Sequence, residues 1–192
     1  MQTQADLFEN CRSSILPAGF RYQAEFIDQA EERRLVEELQ RLDFAPFEFH
    51  GFAGKRRVLS FGWRYDFNTG GLEKTKDIPA FLMRVQDAAA AFSGLRPLEL
   101  QQVLLTEYPQ GAPIGWHKDR FTFDEIIGIS LLSACTLRFR KRIGAQWSRR
   151  SIVLEPMSAY LLRGPSRTDW EHSIPAVSSL RYSITFRTIR DV

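Results

Sequence analysis

The sequence predicts an α+β domain: a double-stranded β-helix (jelly roll) of antiparallel strands, with two or more N-terminal helices packed on one face. Three observations support this fold class. Two amphipathic helical stretches end before Gly94, strand-like segments follow from Gln101 onward, and Pro, Gly and Ser turns separate those segments. Helices that lead into a run of antiparallel strands fit two stacked sheets with the helices on one outer face.

Capping residues and apolar stripes predict the two helices. Asp28 and Glu31 have the spacing of a capping pair, and a stripe follows on one helical face. The stripe consists of Leu35, Val36, Leu39 and Leu42. The second helix is predicted from Pro79 to a stop before Gly94. Its apolar positions are Phe81, Leu82, Val85, Ala89 and Phe92.

Short runs rich in apolar and β-branched residues predict six strands in the second half of the chain. The expected strands are 101–108, 126–132, 136–140, 152–155, 159–162 and 181–188. The chain has 192 residues, of which 44% are apolar, so one domain with a substantial core is expected.

The composition favours a soluble, cytoplasmic protein. Cys11 and Cys135 have no zinc-site or disulfide spacing, which implies a reducing compartment. The N-terminus shows no secretory pattern, and the best apolar run, 126–134, is too short to cross a bilayer. The net charge is +3, concentrated at 55–57 and 138–150. Each basic cluster suits a phosphate backbone, or is simply a solvated face.

Two histidines and a carboxylate form a candidate iron site. His117 and Asp119 are two residues apart, so both side chains project from one face of an extended segment. His172 must then come from a different strand. Imidazole and carboxylate ligands on one face of an octahedron suit Fe(II), and leave positions free for a co-substrate and O2. His50, the third histidine, is interpreted as an ordinary residue.

The segment 181–187 predicts a strand with one polar and one apolar face. Arg181 and Arg187 share the polar face with Ser183 and Thr185, whereas the residues between them are apolar. Arginine pairs two-to-one with carboxylates and stays charged, so this face can hold a dicarboxylate. The two backbones are about 20 Å apart at ~3.3 Å per residue, so the arginines would lean together or divide the task.

The H-x-D pair, the later histidine and R-x-S-x-T-x-R resemble the AlkB family of Fe(II)/2-oxoglutarate dioxygenases over about residues 56–190. The resemblance implies His117, Asp119 and His172 as catalytic metal ligands, with Fe(II), 2-oxoglutarate and O2 as cofactors. Arg181 would bind the far carboxylate of 2-oxoglutarate, and Arg187 would act near its metal-bound end. It also implies one domain over 1–192, with an N-terminal extension and helix (1–55), a lid (56–72) and a catalytic core (100–190).

Three further positions are implied to contact the co-substrate. Tyr108 matches the family's N-x-Y segment, in which Thr106 replaces the asparagine. Ser183 replaces the asparagine that often lies between the two arginines, so a shorter hydroxyl or a bridging water would serve there.

The segment 56–67 resembles the family's nucleotide-recognition lid. A basic residue, Arg57, precedes Trp63, Tyr65 and Phe67, whose rings would stack on an extruded base. Arg120 is a further expected substrate contact. Phe121 stands where some base-repair members have an acidic residue that contacts the alkylated base, which leaves the choice of base open.

The implied activity is oxidative demethylation of alkylated bases in single-stranded or locally opened DNA or RNA, as in alkylation damage repair, by a monomer that binds no membrane. Two alternatives remain. One is an oxygenase that modifies RNA such as tRNA, or a protein. The other is a non-catalytic jelly-roll binding module whose ligand-like residues are remnants.

Overall fold

A computed structural model describes residues 16–49, 52–66 and 70–190. The described chain forms two facing antiparallel sheets, a separate two-stranded ribbon and a small number of helices. The strands are β1 (Phe20–Gln23), β2 (Ala45–Phe49), β3 (Phe52–Phe61), β4 (Trp63–Tyr65), β5 (Leu72–Lys74), β6 (Gln102–Tyr108), β7 (Ile114–His117), β8 (Phe123–Leu131), β9 (Cys135–Ile143), β10 (Gln146–Leu154), β11 (Ala159–Leu162), β12 (Glu171–Ile174) and β13 (Arg181–Ile189).

The two sheets differ in size. The major sheet has the order β1-β11-β8-β13-β6-β3-β2, and the minor sheet has the order β10-β9-β12-β7. Neighbours in these orders are mostly distant in sequence, as a jelly roll requires. The ribbon β4-β5 belongs to neither sheet. The predicted double-stranded β-helix is therefore confirmed.

Both predicted helices are present. Helix α1 spans Gln29–Gln40, and the side chain of Asp28 accepts a hydrogen bond from the backbone N–H of Glu31 at 2.7 Å. A 3-10 turn at Ala80–Leu82 leads into α2, Met83–Ser93. Gly94 ends α2 with φ of 76°, a left-handed conformation that glycine adopts without strain. A 3-10 turn at Pro97–Glu99 and a short helix α3, Pro165–Thr168, complete the helical part.

Two apolar clusters hold the layers together. The first lies between the helices and the major sheet, where Leu35, Leu39 and Val85 pack against Ile184 and Phe186. The second lies between the two sheets and includes Leu137 and Phe139 of the minor sheet with Ile126 and Leu162 of the major sheet. The helices thus cover the outer face of the major sheet, as predicted, and the inner face is left for the candidate site.

The expectation that strands begin at Gln101 was wrong. Strands β1, β2 and β3 extend the major sheet from the N-terminal part, and β7 and β12 complete the minor sheet. Strand β10 begins at Gln146, well before the predicted start at Ile152. Most of these segments are only four or five residues long, too short for an alternation to predict a strand, so their strand conformation is evident only from pairing with neighbours. Among the described helices, none is long and apolar enough to cross a membrane.

Candidate metal centre and co-substrate pocket

The structure brings His117, Asp119 and His172 into one cluster. Their candidate ligand atoms all lie within 4.8 Å of one another. His117 ends β7 and is paired directly with His172 of β12, while Asp119 follows on the loop after β7. The Nε2 atom of His172 lies 3.4 Å from Oδ2 of Asp119, and these side chains are only 12% and 8% exposed.

A local hydrogen bond orients the ring of His117. Its Nδ1 lies 2.9 Å from the carbonyl oxygen of Gly115, so Nδ1 donates to that oxygen and Nε2 keeps a free lone pair. Backbone carbonyls commonly fix the tautomer of metal-binding histidines in this way.

The protonation states of the cluster suit a cation. Burial alone would raise the pKa of Asp119, but the charge of Arg187 and the neighbouring imidazoles hold this pKa well below its ordinary value. Burial lowers the pKa of His172 to about 4, against the opposing effect of Asp119. At neutral pH, Asp119 is therefore ionised and His172 is neutral, which are the forms that bind a metal. The cationic partner of Asp119 is Arg187, whose Nη2 lies 3.2 Å from Oδ1.

Strand β13 presents its polar face to the space between the sheets. Tyr182, Ile184 and Phe186 pack into the helix-side cluster, so the alternation read from the sequence is present. The opposite face carries Arg181 and Arg187 and is also largely buried. Neighbouring strands add hydroxyl groups to it, because Ser183 is paired with Thr106 of β6 and Ser130 of β8. We call this surface the polar floor; its members are Thr106, Ser130, Arg181, Ser183, Thr185 and Arg187.

Arg181 is a buried cation without an acidic partner. The side chain is 1% exposed, its Nε donates to Ser130 Oγ at 3.2 Å, and its guanidinium carbon lies 4.8 Å from the ring centroid of Tyr108. Among the described residues no carboxylate pairs with it, and its buried Nη1 has no hydrogen-bond partner. The Nε of Arg187 likewise lacks a partner.

A small cavity of about 70 Å³ adjoins the metal-ligand cluster. Thr106, Tyr108 and Arg187 line it, together with the three candidate metal ligands. Arg181 and Ser183 do not line it, since Arg181 lies against the ring of Tyr108. The apolar part of the lining consists of Leu104, Ile114, Ile126, Leu137 and Ile174.

Tyr160 lines the same cavity but was not among the predicted site residues. It lies on β11 directly opposite Gly128 of β8, and a Cβ atom at Gly128 would overlap the ring of Tyr160. The glycine thus allows the ring to lie across the sheet. Burial raises the pKa of Tyr160 above its ordinary value, so the hydroxyl stays protonated at neutral pH and can donate a hydrogen bond. The available sequence signal was Gly128 inside the apolar strand β8, because an isolated glycine in a strand often marks a close approach of another group.

The structure places Arg57, the predicted basic residue of the lid segment, away from the cavity. Arg57 donates to Glu107 and to the backbone carbonyl of Phe44, and Glu107 also accepts from the hydroxyl of Tyr182 on the helix side of the sheet. Arg56 lines the cavity instead. Successive residues of a strand point to opposite faces, so only one of the two neighbouring arginines can face the site.

Trp63 and Tyr65, the other lid residues that the structure describes, do not line the cavity. Tyr65 packs at the edge of the inter-sheet cluster, and the guanidinium carbon of Arg120 lies 5.0 Å from its ring centroid. Trp63 is half-buried on the ribbon β4-β5. Phe67 lies outside the described residues, as does His50. Phe121 is 74% exposed, and Arg190 stacks on its ring.

Arg167 holds the loop that carries Asp119. This arginine of α3 is 5% exposed, and its Nη2 donates to the backbone carbonyls of Arg120 and Phe123. The side chain of Arg167 therefore holds the backbone of the loop that follows Asp119. No sequence pattern pointed to it, because the contact joins segments that only the fold brings together.

A pair of histidines and one carboxylate between the two sheets of a double-stranded β-helix defines a non-haem Fe(II) oxygenase. The comparisons with known proteins agree. The model of the 2OG-Fe(II) oxygenase superfamily matches residues 19–187. The chain therefore belongs to that superfamily, and it is an AlkB-like dioxygenase that uses Fe(II), 2-oxoglutarate and O2.

Named relatives support the AlkB-like assignment. The chain is 26% identical over 205 residues to the alkylated DNA repair protein ALKBH8 homolog of Arabidopsis thaliana, covering 87% of this chain and 57% of that protein. It is 27% identical over 173 residues to the mouse tRNA (carboxymethyluridine(34)-5-O)-methyltransferase ALKBH8, covering 87% of this chain and 26% of that protein. The chain thus spans only part of either relative.

The fold is also that of a solved structure. The structure of OsALKBH1 superimposes with a TM-score of 0.71 and 16% identity, covering 90% of this chain and 98% of that one. At this identity the comparison supports the shared fold alone.

Proposed function

We propose that this chain is an oxidative demethylase of alkylated bases in single-stranded DNA or RNA. Fe(II) would be held by His117, Asp119 and His172, and 2-oxoglutarate by the polar floor. One observation carries the co-substrate assignment: Arg181 is a buried cation whose charge no described carboxylate balances.

A buried unpaired guanidinium is unfavourable, because it loses hydration without gaining a counter-charge. An anionic ligand removes this cost. On the polar floor, the buried donors without a partner are Nη1 of Arg181 and Nε of Arg187, which lie toward opposite ends of the inner face of β13. A dianion with a carboxylate at each end fits two separated cationic donors better than a monoanion does. The charges of the polar floor therefore suit 2-oxoglutarate.

When bound, Fe(II) and 2-oxoglutarate supply the oxidation of a C–H bond by O2, with succinate and CO2 as co-products. The chain's own residues position these groups. Tyr160 and Thr106 offer neutral hydrogen-bond donors between the two arginines, and Arg187 holds the carboxylate of Asp119. The apolar lining of the cavity limits the access of water, which strengthens the polar contacts inside.

The lid and the loop after Asp119 support a nucleobase as substrate. The guanidinium of Arg120 and the ring of Tyr65 form a flat, cationic pair beside the loop that carries the metal-ligand carboxylate. Bases stack on aromatic rings and on arginine planes regardless of their identity. We propose that the extruded base lies against this pair, with Arg56 of the cavity lining as a further contact.

Modification of tRNA is a second candidate function. The relatives that match most of this chain include an enzyme named for a tRNA uridine. In addition, the exposed residue at position 121 is a phenylalanine, which offers no carboxylate to a cationic methylated base. In this case the enzyme would add one oxygen to a base substituent without releasing formaldehyde.

Both candidates are tested in one assay with two detectors. The protein is incubated with Fe(II), 2-oxoglutarate and ascorbate. Substrates are matched single-stranded DNA and RNA oligonucleotides carrying 1-methyladenine or 3-methylcytosine, and in parallel total tRNA. Succinate is quantified, and the mass of each nucleoside is followed. An Asp119→Ala variant is the control for metal-dependent turnover.

Loss of methyl mass together with formaldehyde and succinate supports demethylation and identifies the preferred polymer. A gain of one oxygen in a tRNA nucleoside, with succinate and no formaldehyde, would favour the second candidate. Succinate without any change in nucleic acid would contradict both and direct the search to protein substrates.

A further inference from the structure

The outer face of the minor sheet carries a basic surface with an exposed tryptophan. Along β9, Leu137 and Phe139 point into the core, so Arg138, Arg140 and Arg142 point outward. We call the surface the outer basic face; it consists of Lys118, Arg140, Arg142, Trp147 and Arg149. Arg149 lies on β10, directly opposite Arg140 of β9. The other members of this surface line an open groove of about 400 Å³.

Two tryptophans flank Arg140 on this face. Its guanidinium carbon lies 4.6 Å from the ring centroid of Trp116 and 4.5 Å from that of Trp147. Arg138 also lies over Trp116, at 5.1 Å. Trp116 is thus covered by arginines, whereas Trp147 is 37% exposed and its ring is available to a ligand. Stacked guanidinium and indole groups form a rigid platform, since each limits the rotation of the other.

The charge of the groove is not balanced internally. Arg140 pairs with Glu171 at 2.5 Å, and Lys141 pairs with Asp169 at 2.6 Å. Lys118 donates to the carbonyl of Thr168 at 2.8 Å and shares the charge of Asp169 with Lys141. Arg142 donates to the carbonyl of Gly144 at 3.2 Å and has no acidic partner among the contacts of the described residues. Neutral carbonyls leave the positive charge in place, so the groove attracts a polyanion.

The position of the groove connects it to the candidate active site. Lys118 lies between the metal-ligand positions 117 and 119, and Glu171 immediately precedes His172. The end of β7 and strand β12 therefore carry two of the candidate metal ligands, His117 and His172, on the inner face of the sheet. The residues next to them in the chain, Lys118 and Glu171, line the groove on the outer face. A chain bound in this groove lies one sheet thickness from the reacting centre.

We propose that the outer basic face binds the strand that flanks the target nucleotide, with its cations on the phosphates and Trp147 stacked on one base. A single-stranded nucleic acid fits this surface better than an acidic polypeptide does, because it combines regularly spaced charges with flat bases. The proposal rests on the proposed function for the identity of its ligand. It assigns that function a second contact region, separate from the pocket.

The test is binding of an unmodified, fluorescently labelled single-stranded RNA or DNA 12-mer, measured by anisotropy over a range of salt concentrations. The charge variant is Arg142→Gln/Arg149→Gln. Its matched control is Arg33→Gln/Arg84→Gln, which removes the same charge from exposed positions on the helical side of the molecule. A third variant, Trp147→Ala, removes the stacking platform. Thermal unfolding establishes that all three variants remain folded.

The charge variant is expected to bind about tenfold more weakly, and the slope of log Kd against log salt should fall by about 1.4, since each single-strand phosphate contact contributes ~0.7. Trp147→Ala should weaken binding by about tenfold with an unchanged salt slope. The control should bind like the original protein. On a methylated trinucleotide, turnover by the charge variant should be unchanged, whereas the KM for a methylated 12-mer should rise about tenfold.

Equal binding by the charge variant and its control would overturn the proposal. So would equal competition by polyglutamate of the same charge combined with normal binding by Trp147→Ala, because the face would then be a site for acidic proteins. Binding of the 12-mer through this face without any demethylated product would support the outer basic face as a binding surface and contradict the proposed demethylation. The experiment therefore distinguishes failure of the binding surface from failure of the proposed function.

Discussion

His117 and His172 lie directly opposite each other on the antiparallel strands β7 and β12, with ring centroids 4.3 Å apart. Cross-strand neighbours have closely spaced Cβ atoms, so this register alone delivers two imidazoles to one metal. The third candidate ligand, Asp119, reaches the cluster from the loop that follows β7, where Arg187 and Arg167 hold it in place.

Asp119→Asn should weaken binding of Fe(II), or of Mn(II) as a redox-stable substitute, by at least about 100-fold, because the site loses its only anionic ligand. Isothermal titration with Mn(II) measures this directly, without turnover. Asp124→Asn is the control, since Asp124 pairs with Arg190 outside the cluster. Unchanged Mn(II) affinity in Asp119→Asn would contradict the assignment of the triad.

Arg181→Met should have opposite effects on co-substrate affinity and on stability. The affinity for 2-oxoglutarate should fall about 100-fold, as expected when a buried charge partner is removed. The ligand-free protein should become more stable, by about 1 kcal/mol, because a buried cation without a counter-ion is replaced by an apolar chain of similar length. Affinity is measured by titration of the Mn(II) protein with 2-oxoglutarate, and stability by urea unfolding.

The matched control for this variant is Arg163→Met. Arg163 is less buried than Arg181, with 40% of its side chain exposed, and it has an acidic partner: it pairs with Glu125 at 2.6 Å and donates to the carbonyl of Ser93. Its loss should destabilise the protein and leave the affinity for 2-oxoglutarate unaltered. If Arg181→Met destabilises the protein as Arg163→Met does and still binds the co-substrate normally, Arg181 has a structural role only.

Tyr160→Phe should weaken 2-oxoglutarate binding by about tenfold, the loss expected for one hydrogen bond to a charged group. Tyr22→Phe is the control, because the Tyr22 hydroxyl accepts from the backbone N–H of Glu155 away from the cavity. Gly128→Ala should destabilise the protein by about 1–3 kcal/mol, since the new methyl group overlaps the ring of Tyr160. Wild-type affinity in Tyr160→Phe would remove the tyrosine from the co-substrate site.

The sequence was sufficient to predict the polar and apolar faces of β13, but not which parts of the fold cover each face. The alternation along 181–187 identified two faces because a strand has a strict two-residue period. It did not reveal that both faces are buried, which makes the polar face an interior floor rather than a solvent-exposed one. Nor did it reveal the pairing of His117 with His172, because the closure of the minor sheet fixes this register.

Local sequence pattern could not predict the roles of Tyr160, Gly128 and Arg167. Each acts through a partner that is distant in sequence: the ring of Tyr160 across Gly128, and the guanidinium of Arg167 on the carbonyls near Arg120. The sequence alone could in principle have shown which of Arg56 and Arg57 faces the cavity. Leu59 and Phe61 pack toward the helices, and Arg57 shares their face by parity.

Substitutions of the adjacent residues Arg56 and Arg57 test which face of β3 contacts the ligand. Arg57→Gln should lower stability by about 1 kcal/mol, because it removes the contacts with Glu107 and the carbonyl of Phe44, and it should leave co-substrate and oligonucleotide binding unchanged. Arg56→Gln should leave stability nearly unchanged and weaken binding of a methylated oligonucleotide by about tenfold, since Arg56 lines the cavity. Urea unfolding and fluorescence anisotropy measure the two effects. The reverse pattern, with Arg57→Gln impairing binding and Arg56→Gln impairing stability, would show that the lid contacts its ligand through the other face of β3.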